Sequence, residues 1–150
     1  MLKEKLNIIL ELTKVRITVL VTVTTVFGYV LAAGTISTAI ILPALGIFLL
    51  ACGSAVVNHY QEWKTDSLMA RTRNRPIPAG KISVRDVLLL AIGLALTGSM
   101  FLYLGSGLTA LLLGWLAFFW YNVVYTPLKK KSSLAVIPGS LIGAIPPVVG

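Results

Sequence analysis

The sequence predicts an all-α fold, a polytopic transmembrane helical bundle, and three observations carry that expectation. First, 57% of the 150 residues are hydrophobic and only 12% are charged, with a mean hydropathy of +0.90. Soluble domains carry about 25% charged residues. Second, the chain holds four complete apolar runs of about the length that crosses ~30 Å of hydrocarbon: residues 17–33, 39–57, 87–104 and 108–124. A fifth starts near Leu134 and continues to Gly150. Third, every cation falls in alternate connections.

That third pattern fixes the orientation expected of the chain. The net charge of +8 would suit nucleic acid, but the placement of the charges excludes that class. Of thirteen Lys and Arg residues, four precede the first span, six lie between the second and third, and three, Lys129, Lys130 and Lys131, follow the fourth. The connections around residues 34–37 and 105–107 have none. The positive-inside rule then places the amino terminus, the long second connection and the Lys129 loop in the cytoplasm.

Each element has its own justification. Residues 1–16 form an amphipathic lead-in, with Leu2, Leu6, Ile9, Leu10 and Leu12 sharing a face opposite Lys and Glu, and such a segment lies in the membrane interface. The first span is no cleavable signal: it exceeds an h-region in length and leads through an uncharged turn into another apolar run. Glu4, Glu11 and the absence of serine before residue 17 argue against a transit peptide, which favours a bacterial plasma membrane. The short external connections make two tight hairpins, spans one with two and three with four. Pro76, Pro78 and Gly80 forbid a continuous helix in residues 58–86. Ser83, three residues before Asp86, resembles a capping box that opens the third span. Gly46, Gly53, Gly93, Gly98 and Gly114 let helices approach closely in lipid. Cys52, the sole cysteine, forms no intrachain disulfide and reads as a packing residue.

The stretch with most chemical content runs from Asn58 to Asp66. Asn58, Glu62 and Asp66 stand four apart, so on a helix they drift by only about 80° and rise by about 6 Å per step. If the second helix continues past Val57, three oxygen-bearing side chains line one face. The arrangement is locally unfavourable, since Glu62 and Asp66 repel at i,i+4 and carboxylates oppose the macrodipole at a helix carboxyl end. Two readings fit. They are solvated residues at a helix end, or they await a divalent cation, because Mg²⁺ takes one or two carboxylates with substrate phosphate oxygens. Arg71, Arg73 and Arg75 follow within ten residues, and guanidinium forks match phosphate oxygens; positive-inside anchoring explains them equally well. Tyr121, Tyr125 and Lys129 repeat at i, i+4, i+8 near Pro127, which ends the regular helix. They are belt aromatics or part of the same rim. His59 points about 100° from the carboxylate face and reads as an interfacial hydrogen-bonding residue; Tyr60 and Trp63 read as interface anchors.

At these residues the sequence resembles the UbiA superfamily of membrane prenyltransferases, and within it the haem O synthase subfamily. Members carry Asn/Asp-x-x-x-Asp-x-x-x-Asp followed by Arg-Thr-x-x-Arg-Pro-Ile/Leu-Pro-x-Gly, which here read Asn58…Glu62…Asp66 and Arg71 through Gly80. Thr13-Lys14-Val15-Arg16 is similar to the subfamily's opening Thr-Lys-Pro-Arg. Tyr125-Thr126-Pro127-Leu128-Lys129 and Gly143-Ala144-Ile145-Pro146-Pro147 match it further along. Two departures stand out: Glu62 replaces the usual Asp, and the family's about nine spans and second Asp-rich motif exceed this chain. The resemblance implies that residues 1–150 are a single membrane domain, the amino-terminal part of a larger bundle and incomplete for catalysis alone.

It implies a Mg²⁺-dependent enzyme of the bacterial inner membrane that transfers a farnesyl group from farnesyl diphosphate to haem b, giving haem O for haem A and cytochrome oxidase assembly, with haem A synthase as a partner. Asn58, Glu62 and Asp66 would be catalytic through holding the metal. Arg71, Arg75 and Lys129 would meet the diphosphate, with Tyr125 orienting it. Two other readings stand beside this one: a UbiA-type enzyme with an aromatic or quinone-precursor acceptor, and half of a transporter. A transporter predicts ionisable residues at mid-membrane, and the four complete runs contain none.

Overall fold

A computed structural model describes residues 2–131 and 135–150. The expected start of the fifth run at Leu134 lies outside the described residues, as does the side chain of Leu2. Six helices follow one another: α1 (Leu2–Leu12), α2 (Val15–Ala33), α3 (Ile41–Leu68), α4 (Val84–Phe119), α5 (Thr126–Leu128) and α6 (Val136–Val149). A 3₁₀ turn, Thr38–Ile40, precedes α3, and a π-helical turn, Trp120–Tyr125, joins α4 to α5.

Among the described residues, three continuous helical stretches are long and apolar enough to cross a membrane, Val15–Ala33, Thr38–Leu68 and Val84–Leu128, and α6 is a shorter apolar helix. The last of the three stretches holds 45 residues but is not one rod. Gly107 takes φ 76° and ψ −165°, outside helical geometry and open to glycine alone at no cost. Beyond it the chain reverses: Trp115 Nε1 donates to Ser99 Oγ at 3.0 Å, although 16 residues on a straight helix would separate them by about 24 Å. α4 is therefore a hairpin of two limbs, residues 84–106 and 108–119, and these are the third and fourth runs of the sequence. Ser83 caps the first limb as expected, accepting from Asp86 N at 3.1 Å.

Small residues set the helix spacing. A Cβ on Gly46 would lie 2.7 Å from Leu102 N, and one on Gly98 would lie 2.8 Å from Leu50 N, so α3 and the first limb touch backbone to backbone there. A Cβ on Gly28 would overlap the Pro147 carbonyl, which seats α6 on α2. Gly93 departs from the expected packing role: nothing lies within 4 Å of its Cβ position, because it faces outward from the limb. Ile47, Leu50, Ala95, Leu102, Ala110, Ile145 and Val149 form the main apolar cluster.

A second cluster closes the other end of α3, where Leu12, Val56, Ile77, Val87 and Ala91 pack together with Ile8 and Trp63 beside them. Trp63, expected as an interface anchor, also packs against this cluster. One expectation changes here. Leu12 leaves the face assigned to it and turns inward with Ile8, four residues back, while Leu6, Ile9 and Leu10 are exposed. The reason is angular: Leu12 stands 200° from Leu10 on a helix of 100° per residue. α1 thus has an inward strip that docks on the bundle and an outward strip free for the bilayer interface.

Candidate functional site

α3 continues unbroken to Leu68, as the spacing of Asn58, Glu62 and Asp66 required. Its 28 residues span about 42 Å, more than a ~30 Å hydrocarbon layer, so its last turns project past the apolar zone. The three side chains share one face and all are buried, Asn58 completely. Burial of carboxylates demands partners, and three separate elements supply them.

Lys14 Nζ donates to Asn58 Oδ1 at 2.7 Å. Lys129 Nζ lies 2.9 Å from Glu62 Oε1. Arg75 Nη1 lies 2.6 Å from Asp66 Oδ2. The result is a ladder of three oxygen acceptors, each held by one cation. Arg75 and Lys129 keep more than a quarter of their side-chain surface accessible, so an incoming anion can reach them. Lys14 sits at the α1–α2 junction in left-handed geometry, φ 49° and ψ 46°, uncommon for a residue with a Cβ. Burial, and then the neighbouring Lys129 charge, push its pKa down to about 8, against the pull of Glu62. Three cations facing two carboxylates leave the rim with one net positive charge.

The fourth wall of the rim comes from the π-helical turn. Pro127 has no N–H to continue α-helical pairing and crowds the preceding turn. The chain widens instead: Thr126 N–H bonds back to Tyr121 O, and Thr126 Oγ1 donates to the same carbonyl at 2.8 Å. Gln61 of α3 takes up another displaced carbonyl, Nε2 donating to Asn122 O at 3.1 Å. Asn122 Nδ2 reaches Ser54 Oγ at 2.7 Å, and Asn58 Nδ2 donates to Thr126 Oγ1 at 3.1 Å. These bonds lock the turn onto α3. Tyr121 and Tyr125 stack with centroids 5.5 Å apart, and Lys129 Nζ lies 5.6 Å from the Tyr125 ring centre, a cation–π contact. Single π turns inside α-helices recur at functional sites.

Six of the seven residues singled out in the sequence therefore converge: Asn58, Glu62, Asp66, Arg75, Lys129 and Tyr125. Arg71 does not join them; it is exposed in the turns after α3. His59, expected to hydrogen-bond at the interface, is buried, and its Nε2 has no partner among the described residues, because the helix face it occupies turns into the bundle. Sequence reasoning gave no role to Lys14, and none to Asn122 or Thr126. The signal for Lys14 was its place in the Thr13–Arg16 motif; Asn122 carried none, since a π turn leaves no mark in hydrophobic spacing.

Among the described residues no group of three or more His, Cys, Asp or Glu is placed to hold a metal ion. What the rim offers is two carboxylates and an amide, hard oxygen donors of the kind that bind Mg²⁺ together with phosphate oxygens rather than in an all-protein cage. The donor set fits that ion in company with an anionic substrate.

Known proteins resemble this chain over most of its length. Over 135 residues, 90% of this chain and 47% of the relative, it is 41% identical to the protoheme IX farnesyltransferase of Nitratidesulfovibrio vulgaris (strain DP4). Identity is 36% over 140 residues, 93% of this chain and 50% of the relative, to the protoheme IX farnesyltransferase of Oleidesulfovibrio alaskensis. It is 41% over 148 residues, 94% of this chain and 48% of the relative, to protoheme IX farnesyltransferase 1 of Pseudomonas fluorescens. The chain spans about half the length of the curated relatives it matches. No solved structure matches. The UbiA prenyltransferase family model matches residues 21–150, from within α2 through every rim residue but Lys14 to the end of α6, and the chain belongs to that family.

Proposed function

We propose that the rim binds the diphosphate of farnesyl diphosphate with Mg²⁺, and that the whole protein transfers the farnesyl group to haem b to give haem O. One observation carries this reading: a ladder of cations and carboxylates stands at the mouth of an apolar cavity whose lining begins with Lys14 and Tyr121. That pairing suits an amphiphile with a polyanionic head and a hydrocarbon tail. The names of the relatives supply the farnesyl and haem identities.

Glu62 and Asp66 would hold the ion, with Asn58 beside them. When bound, Mg²⁺ supplies charge neutralisation of the departing diphosphate. Arg75, Lys129 and Lys14 exchange their present acceptors for phosphate oxygens, and Tyr125 flanks the head group through its contact with Lys129. One divalent ion would raise the rim's net charge to three, equal and opposite to a fully ionised diphosphate ester. Cations fixed where negative charge develops lower the barrier to breaking the allylic C–O bond. The apolar walls keep water from the electron-poor carbon. Arg71 would reach the phosphates only after the loop rearranges. The charge pattern supports a rim on the cytoplasmic face of a bacterial inner membrane, and haem A synthase would consume the product.

The test is Asp66→Ala in the complete protein, expressed in cells lacking their own haem O synthase. Haem O in extracted pigments should fall at least a hundredfold while the protein still inserts into the membrane. Normal haem O would refute the role of Asp66. A prenylated aromatic compound in place of haem O would move the acceptor to the quinone-precursor class.

A further inference from the structure

Asn58 is the one acceptor of the ladder with two chemically different ends. A carboxylate offers oxygen whichever way it turns, whereas a carboxamide offers oxygen on one side and N–H on the other. The Asn58 amide is fully buried and lies between Lys14 and Thr126. Lys14 Nζ donates to Asn58 Oδ1 at 2.7 Å, and Asn58 Nδ2 donates to Thr126 Oγ1 at 3.1 Å. Thr126 Oγ1 donates in turn to Tyr121 O at 2.8 Å. The two ends of this chain dictate its direction. An ammonium can only donate and a carbonyl can only accept. The single hydroxyl proton of Thr126 is therefore committed to Tyr121, and a lone pair is what remains for Asn58.

The π turn creates that arrangement. Thr126 N–H also bonds to Tyr121 O, five residues back rather than four, so this carbonyl lies within reach of the Thr126 hydroxyl. Thr126 is itself buried, away from competing solvent. Resting on the reading of the rim as the metal–diphosphate site, we infer that Thr126 is a positioning residue: its hydroxyl fixes the polarity of the Asn58 amide, so that oxygen and not nitrogen faces the rim. In that reading Lys14 leaves Asn58 for a phosphate oxygen. Among the described residues, the bond to Thr126 is then the one that still orients the amide. A flipped amide would aim N–H at the ion. Outer partners that orient a ligand typically change metal affinity 10–100-fold when they are removed.

The test uses the complete purified protein and two readouts. The first is free of metal: isotope-labelled asparagine is followed by NMR in detergent with a chelator present. The Asn58 side-chain amide signal is identified by its loss in Asn58→Asp. It should shift and exchange faster with solvent in Thr126→Val, and keep close to its wild-type position in Thr126→Ser. The second readout is the Mg²⁺ concentration that half-saturates binding of a non-reactive farnesyl thiodiphosphate. It should rise about tenfold in Thr126→Val and stay within about twofold of wild type in Thr126→Ser. Between Asn58→Asp and the double variant Asn58→Asp/Thr126→Val it should differ by less than about twofold, because a carboxylate needs no orienting. A merely structural threonine would cost the same in both backgrounds. Should Thr126→Val not assemble, Thr126→Ala carries the same expectations. Three results would overturn the positioning role and leave the rim reading standing: a wild-type amide signal and Mg²⁺ dependence in Thr126→Val, a Thr126→Ser protein equally impaired, or an undiminished loss in the Asn58→Asp background. Wild-type binding indifferent to Mg²⁺ would overturn the rim reading instead, while the metal-free signal would still decide whether Thr126 orients the amide.

Discussion

The two ends of α3 are buried by opposite means. Toward Ile41 the helix is held by absence of side chain: Gly46 and Gly53 let the first limb of α4 come to backbone contact, and Leu50 and Ile47 fill what remains. Toward Leu68 it is held by charge, with Asn58, Glu62 and Asp66 each gripped by a cation from a different part of the chain. The close-packed end has nothing to exchange. The charged end is an assembly of partners that, in the proposed function, an anion and a metal ion would take over one by one. Stability and binding would thereby be separated along a single helix.

That contrast can be broken first at the packed end. Gly98→Leu would drive a side chain into Leu50 N and the Gly46 carbonyl. Overpacking against backbone cannot be relieved by a rotamer change, so a loss of about 3 kcal/mol or more is expected, seen as aggregation or a sharply lower Tm in detergent. At the charged end, Lys129→Gln should cost about 1–3 kcal/mol, a smaller fall in Tm, because the buried Glu62 carboxylate loses its cation while Lys129 itself is partly exposed. It should raise the KM for the prenyl diphosphate about tenfold or more, since a hydrogen bond from a charged group is worth roughly 1.5–3 kcal/mol. The smallest effect belongs to the outward face of the first limb. Gly93→Ala meets nothing within 4 Å and should leave turnover unchanged while raising stability by about 0.5–1 kcal/mol. A destabilised Gly93→Ala would show that this face is covered in the complete bundle.

Much of this architecture was legible in the residues. Hydropathy gave the apolar runs, and the uncharged turn at residues 105–107 marked the hairpin that Gly107 makes. The i,i+4 rhythm of Asn58, Glu62 and Asp66 was readable because a helix converts spacing directly into a shared face. Local conflict was itself informative: repelling carboxylates at a helix end left solvent or a divalent cation as the means of relief, and Lys129 and Arg75 stand in that place. Which partners came was not readable. Lys14 reaches Asn58 across 44 residues of sequence, and the Thr13–Arg16 motif marks its position without naming its partner. Arg71 and Arg75 look equivalent in sequence, yet the turns around Pro76 bring only Arg75 to Asp66. The inward turn of His59 and Leu12 likewise depends on how helices pack, which single-chain periodicity resolves only to a face.

In the proposed function the buried acceptors and cations of the rim jointly bind a metal–diphosphate. The most direct measurement is equilibrium binding of a non-reactive farnesyl thiodiphosphate to the complete purified protein, with and without Mg²⁺, for wild type, Asp66→Ala, Arg75→Gln and the double variant. Binding should require Mg²⁺ in wild type and weaken at least tenfold in each single variant. The Mg²⁺ requirement should disappear with Asp66, and the two losses should be non-additive because the residues share one ligand. Binding that is equally tight without Mg²⁺, or indifferent to both substitutions, would contradict the claim.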